Sequence, residues 1–135
     1  MPTSLRAIAL LALVLVGLSG PALASDDAQA LIRQQEQAIA RDDGDAAYSL
    51  AAPEIQAMFG NAGIFMRMVK QGYPPVYRHR SFEFGTATTT DGVMKQLVHI
   101  VDADGVAWEA IYTVERQPDG FLKISGCSLT KAVTA

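Results

Sequence analysis

The chain has 135 residues, half of them hydrophobic, and 14 acidic residues against 11 basic ones give a formal charge of −3. That length suits one domain with a real core. The missing basic excess argues against nucleic acid as a partner, and a single cysteine, Cys127, excludes an internal disulfide framework.

The first residues read as a targeting segment. Met1 to Arg6 carry one positive charge, and Ala7 to Leu18 form a short apolar run. Ser19-Gly20-Pro21 breaks it, and Ala22-Leu23-Ala24 fits a small-x-small cleavage site. The pattern predicts a secretory signal peptide over residues 1–24, too short for a good membrane span. A periplasmic or secreted protein is expected, with no stable membrane insertion after cleavage. Residues 25–135 are expected to form a single domain.

Ser25-Asp26-Asp27 offers capping oxygens and negative charge for a helix start. Leu31, Ile32, Gln35, Ala38 and Ile39 recur at helical spacing, with Arg33, Gln34, Glu36, Gln37 and Arg41 on the other side. This predicts an amphipathic helix over 28–41, ended by Asp42-Asp43-Gly44. Asp45 can cap a short helix through Leu50. Pro53 suits the first position of another, with Ile55, Met58 and Phe59 as its apolar side and Gly60 as its stop. Asn61 caps a third, carrying Ile64, Phe65, Met68 and Val69. Gly72 sits where a C-terminal cap belongs, and Pro74-Pro75 forbids continuation.

After Pro75 the period changes from 3.6 to 2. Phe82 and Phe84 alternate with Ser81 and Glu83 in a strand running to Thr90, and Asp91-Gly92 turns the chain. Val93 to Val101 form the next strand, with Met94, Gln96, Val98 and Ile100 on one face. Residues 106–114 form a central strand, with Trp108, Ala110, Tyr112 and Val114 on one face. Asp104-Gly105 and Asp119-Gly120 flank it as tight turns, so strands pair with it on both edges. Phe121 to Thr130 form the last strand, where Cys127 beside Ile124 and Leu129 is expected to be buried.

Helices followed by four successive strands predict an α+β fold, with helices on one face of an antiparallel meander. A twisted four-stranded sheet under a long helix curls into a cone. Gly72-Tyr73-Pro74-Pro75-Val76-Tyr77-Arg78, Val106 to Tyr112, Asp119-Gly120 and Lys123 to Cys127 carry a further likeness. Over nearly all of Ala28 to Leu129 the chain resembles a family of small secreted bacterial proteins catalogued as a domain of unknown function. The order of helix, short helices and long curved meander also resembles the nuclear-transport-factor-2-like, or ketosteroid-isomerase-like, superfamily. The resemblance implies the cone and the compartment, and brings no catalytic residues.

Residues 67–80 hold Arg67, Lys70, Arg78, His79 and Arg80 with Tyr73 and Tyr77, and no acid. They form either an anion-binding rim at the mouth of the cone or a solvated helix end. Gln96 and Tyr112 are polar groups on an apolar inner face and must find partners or a ligand. The candidate ligand-binding residues are therefore Tyr73, Tyr77 and Arg78 at the rim, with Gln96, Trp108 and Tyr112 inside.

An isomerase or lyase would need an inward acid or base. By parity His99, Glu83 and Glu109 point outward, which leaves no strong acid–base pair inside. Asp102-Ala-Asp104-Gly105 lacks the remaining ligands of a calcium loop and reads as a hairpin turn. Two distant histidines and one cysteine do not make a zinc site. No metal or other cofactor is expected. The reading is a non-enzymatic binder of a small apolar or amphipathic ligand, or a support for an envelope protein. A lyase or isomerase in the same pocket is one alternative. An interaction module or homodimer using the outer sheet face is another.

Overall fold

A computed structural model describes residues 24–133. The predicted leader therefore lies, apart from Ala24, outside the described residues.

The first helix, α1 (Ser25–Ala40), buries Ala28, Leu31, Ile32, Gln35, Ala38 and Ile39, the stripe expected of a 3.6-residue period. Its start differs from expectation. Ala24 occupies the cap position without a side-chain bond, while Asp26 and Asp27 lie inside the first turn, facing the positive end of the helix dipole.

Asp42 then takes a left-handed conformation, φ 56°, and re-aims the chain. As a result Asp43, not Asp45, caps α2 (Gly44–Ser49), accepting from the Ala46 amide at 3.1 Å. Pro53 opens α3 (Pro53–Phe59), and Gly60 ends it at φ 81°. This helix buries no residue fully. Met58, expected on its apolar side, is 74% exposed, and only Ile55 and Phe59 are half-buried.

Asn61 caps α4 (Ala62–Gly72) by accepting from the Ile64 amide at 2.9 Å. The buried stripe is Phe65, Met66 and Val69, so Met66 takes the inward place expected of Ile64. The two prolines do more than stop this helix. They begin a further turn, α5 (Pro74–Tyr77), because a helix start leaves its first amides unpaired and tolerates residues without them. Pro75 and Val76 are buried there.

Four strands follow: β1 (His79–Thr90), β2 (Val93–Asp102), β3 (Ala107–Arg116) and β4 (Leu122–Lys131). They form one antiparallel sheet in the order β1-β2-β3-β4. The β2–β3 register sets Gln96 opposite Tyr112, Val98 opposite Ala110 and Ile100 opposite Trp108. Asp91 and Gly92, both at positive φ, make the first tight turn; glycines at positive φ serve the other two. Period-2 alternation puts Met94, Val98, Ile100, Tyr112 and Val114 into one core with α1, α4 and α5.

Two bulges shape the body of the sheet, besides a register shift at the start of β1 between His79 and Ser81. In β1, Gly85 and Thr86 stand between the pairs Phe84–Val98 and Ala87–Gln96. In β4, Ser125 is the extra residue between the pairs Val114–Ile124 and Thr113–Gly126. Beside the second bulge, Ala52 donates to the Ile124 carbonyl at 2.8 Å and Ile124 donates to the Leu50 carbonyl at 2.9 Å. The link between α2 and α3 thus covers part of an edge that would otherwise offer open pairing groups.

Candidate ligand-binding site

The β4 bulge and the shallow seat of α3 leave a cavity of about 360 Å³ between the helices and the sheet. Ile39 of α1, Ile55 and Phe59 of α3, and Phe65 and Val69 of α4 supply its apolar wall. Its polar side comes from Gln35, Tyr73, Tyr112, Ser125 and Cys127, and among the described residues no charged side chain lines it.

The polar groups are largely spoken for. Gln35 donates to the Ala47 carbonyl at 3.1 Å, and the Tyr73 hydroxyl donates to the Cys127 carbonyl at 3.0 Å. Burial raises the Tyr73 hydroxyl above its usual range and pushes the Tyr112 hydroxyl well above it, with Cys127 beside both as a further cause. Burial also pushes the Cys127 thiol up to about 12. Cys127 is half-buried as a residue because β4 is an edge strand, while its thiol is taken out of water. All three groups are neutral at physiological pH.

Beyond Tyr73 lies a groove of about 540 Å³, bordered by Pro74, Tyr77, Arg78, Asp102, Asp104 and Trp108. Tyr73 belongs to both spaces and forms the wall between them. The six sequence candidates therefore divide. Tyr73 and Tyr112 meet at the cavity, whereas Tyr77, Arg78 and Trp108 meet in the groove. Gln96 lines neither. It is fully buried, donating to the Gly85 and Leu97 carbonyls at 3.0 and 2.8 Å and accepting from Gln29 at 3.1 Å.

Arg78 is held by the chain's own acid. Its Nη2 lies 3.2 Å from Asp42, and the guanidinium stacks on the Tyr77 ring at 3.8 Å. Asp42 also accepts from the Tyr77 hydroxyl at 2.6 Å and pairs with Lys70 at 3.5 Å. Tyr77 first, then Lys70 and Arg78, hold its carboxyl below the usual range. Two cations of the basic segment are thus matched by an acid distant in sequence. Trp108 is half-buried, and its indole donates to Asp102 at 2.9 Å. The same carboxylate accepts from the Asp104 and Val106 amides, both at 2.9 Å. Trp108 above all holds the Asp102 carboxyl below its usual range. The Asp102–Gly105 stretch is a self-capped hairpin turn. Among the described residues, no three His, Cys, Asp or Glu side chains gather as a metal site.

One constellation escaped the parity argument. Glu36, expected on the outer side of α1, faces His79, with Oε1 and Nε2 2.9 Å apart and side chains only 13% and 11% exposed. Arg33 reaches the same carboxylate at 2.5 Å, donates to the Phe82 carbonyl at 3.2 Å and lies over the Phe82 and Phe84 rings. His79 Nδ1 meets the Pro75 carbonyl at 2.9 Å. Both ring nitrogens are occupied, so this acid–base pair ties α1, α5 and β1 together and offers no free nitrogen to a substrate. The available signal was spacing: Glu36 stands four residues after Ile32 and three before Ile39, on the margin of the buried stripe.

A family model described as domain of unknown function DUF4864 matches residues 23–135. The chain belongs to this family. The DUF4864 match spans every helix and strand described above, the cavity included. A comparison of this DUF4864 chain with curated proteins finds no match.

Proposed function

We propose that this DUF4864 protein is exported and that its domain is a cone of the nuclear-transport-factor-2-like kind. Its role is to hold a small apolar or amphipathic ligand, without chemistry. The observation that carries this reading is the cavity between the helices and the sheet. It is mostly apolar, of the size that small ligands fill, and edged by a few polar groups. Among the described residues its lining offers no carboxylate, histidine or ammonium to move a proton, which favours binding over a lyase or isomerase. The loosely seated α3 gives a ligand a way in. The element order supports the cone, and the leader pattern supports export.

Native mass spectrometry of the protein recovered from the cell envelope tests this directly. A retained small molecule, and an N-terminus at Ser25, are the expected results. Protein that stays in the membrane at full length contradicts export. Protein that never carries or takes up an apolar molecule contradicts the binding role. A second reading, docking of an envelope partner or a second copy on the outer sheet face, draws on Ile111, 43% exposed on that face. Concentration-dependent dimerisation abolished by Ile111→Lys would favour it.

A further inference from the structure

The cavity has a polar recognition point. The geometry points to the Tyr112 hydroxyl as a hydrogen-bond donor for a neutral ligand, an apolar molecule bearing a single carbonyl-type acceptor. The inference rests on the cavity being a binding site and narrows what enters it.

Tyr112 is 2% exposed, yet it lines the cavity from the middle of β3. The other hydroxyl and amide side chains of the wall have oxygen acceptors. Gln35 has the Ala47 carbonyl, Tyr73 has the Cys127 carbonyl, and Ser125 donates to Thr113 Oγ1 at 2.9 Å. Among the described residues the Tyr112 hydroxyl has no oxygen or nitrogen partner; Cys127 stands directly across from it in the β3–β4 register, and its thiol lies on the same cavity wall. Sulfur is a weak acceptor, so a phenolic donor in an apolar space gains by turning to a ligand oxygen.

Charge decides the rest. A carboxylate or phosphate brought into this space would lose its hydration and meet no cation, because among the described residues no lysine, arginine or histidine lines it. Glu36, whose charge reaches Tyr112, is paired with Arg33 and His79 and offers nothing to an anion. Arg78, the guanidinium that first suggested an anion site, lies beyond Tyr73 in the groove and is bound to Asp42. A ligand cation fares no better, since none of the described residues on the wall is an acid. What remains is a neutral body with one acceptor.

Three probes of nearly equal shape test this: methyl naphthyl ketone, ethylnaphthalene and naphthoate. Calorimetric titration of the purified protein is expected to show the ketone binding about tenfold tighter than the hydrocarbon, the scale of one sheltered hydrogen bond. Naphthoate should bind weakest. In Tyr112→Phe the ketone should lose its advantage while the hydrocarbon keeps its affinity. Equal binding of ketone and hydrocarbon overturns the inference, as does an advantage that survives Tyr112→Phe, or naphthoate binding tightest. If ethylnaphthalene itself does not bind, the cavity reading fails as well, a result distinct from the others. The infrared carbonyl stretch of the bound ketone gives a second readout, needing no variant. It should fall below its frequency in hydrocarbon solvent, and an unshifted stretch overturns the assignment.

Discussion

Replacing Gln96 by leucine should destabilise the domain by about 2 kcal/mol, although leucine is the more apolar side chain. Gln96 is 0% exposed, and its amide sits beside the β1 bulge. Two residues there, Gly85 and Thr86, stand opposite one, so the Gly85 carbonyl needs a donor from outside the ladder. Gln96 Nε2 supplies it at 3.0 Å and reaches the Leu97 carbonyl at 2.8 Å. Leucine strips both carbonyls of this donor beside a fully buried position, at about 1–2 kcal/mol each. Burying an alkyl group where an amide had been returns about 1 kcal/mol. Gln29, the partner of Gln96 Oε1 at 3.1 Å, is only half-buried, and water can replace what it loses. Gln29→Ala should therefore cost well under 1 kcal/mol. Urea unfolding followed by circular dichroism reads both values, with an unchanged dependence on denaturant showing that the unfolded states are comparable. A loss below about 0.5 kcal/mol for Gln96→Leu would refute the claim that this amide repairs the bulge. So would a Gln29→Ala cost equal to it.

Glu36→Leu should cost about 2 kcal/mol, because it leaves Arg33 and His79 without their acid in a nearly closed site; the slight exposure keeps the loss below that of a fully buried pair. Thermal unfolding checks it, and an unchanged midpoint would show the pair to be idle. Cys127 should resist thiol reagents at pH 8 in the folded protein and react fully in denaturant, since its thiol is held neutral until about pH 12. The same burial predicts an alkaline weakness. The unfolded thiol releases its proton near pH 9 and the folded one near 12, so stability should fall as pH rises through that window, with Tyr112 adding to the loss above pH 10. Flat stability from pH 9 to 12 would contradict it. Arg78→Lys should leave ligand retention unchanged, because the guanidinium serves an exposed pair with Asp42 outside the cavity.

The sheet and the long helix were legible because each obeys one period over ten residues or more. The alternation of Met94, Gln96, Val98 and Ile100 requires that all four share a face, whatever covers it. The turns were equally plain, since Asp91-Gly92 and Asp119-Gly120 have few other uses between apolar strands. The helix caps and α3 were less so. Whether Asp43 or Asp45 caps α2 depends on the left-handed turn at Asp42, and whether Met58 is buried depends on how far α3 stands off the sheet. The site divided along the same line. Tyr112 lies within β3 and was placed on the inner face by alternation, whereas Tyr73, between α4 and α5, was read only as part of the basic and aromatic rim. Arg78 could not be placed, because its partner Asp42 comes from the end of α1, distant in sequence and near only after folding. The Glu36–His79 pair was hidden for the same reason: it joins a helix flank to a strand end across a junction that no local period encodes.

The central claim is that the space between α3, α4 and β4 holds a ligand. Its most direct test is native mass spectrometry of envelope-derived protein beside an Ile55→Trp variant. Ile55 lines the cavity from a helix that buries nothing fully, so the larger ring fills the space without disturbing the core. The account predicts a bound apolar molecule on the native chain, and a folded variant without it. A variant that folds and retains the same molecule would contradict it.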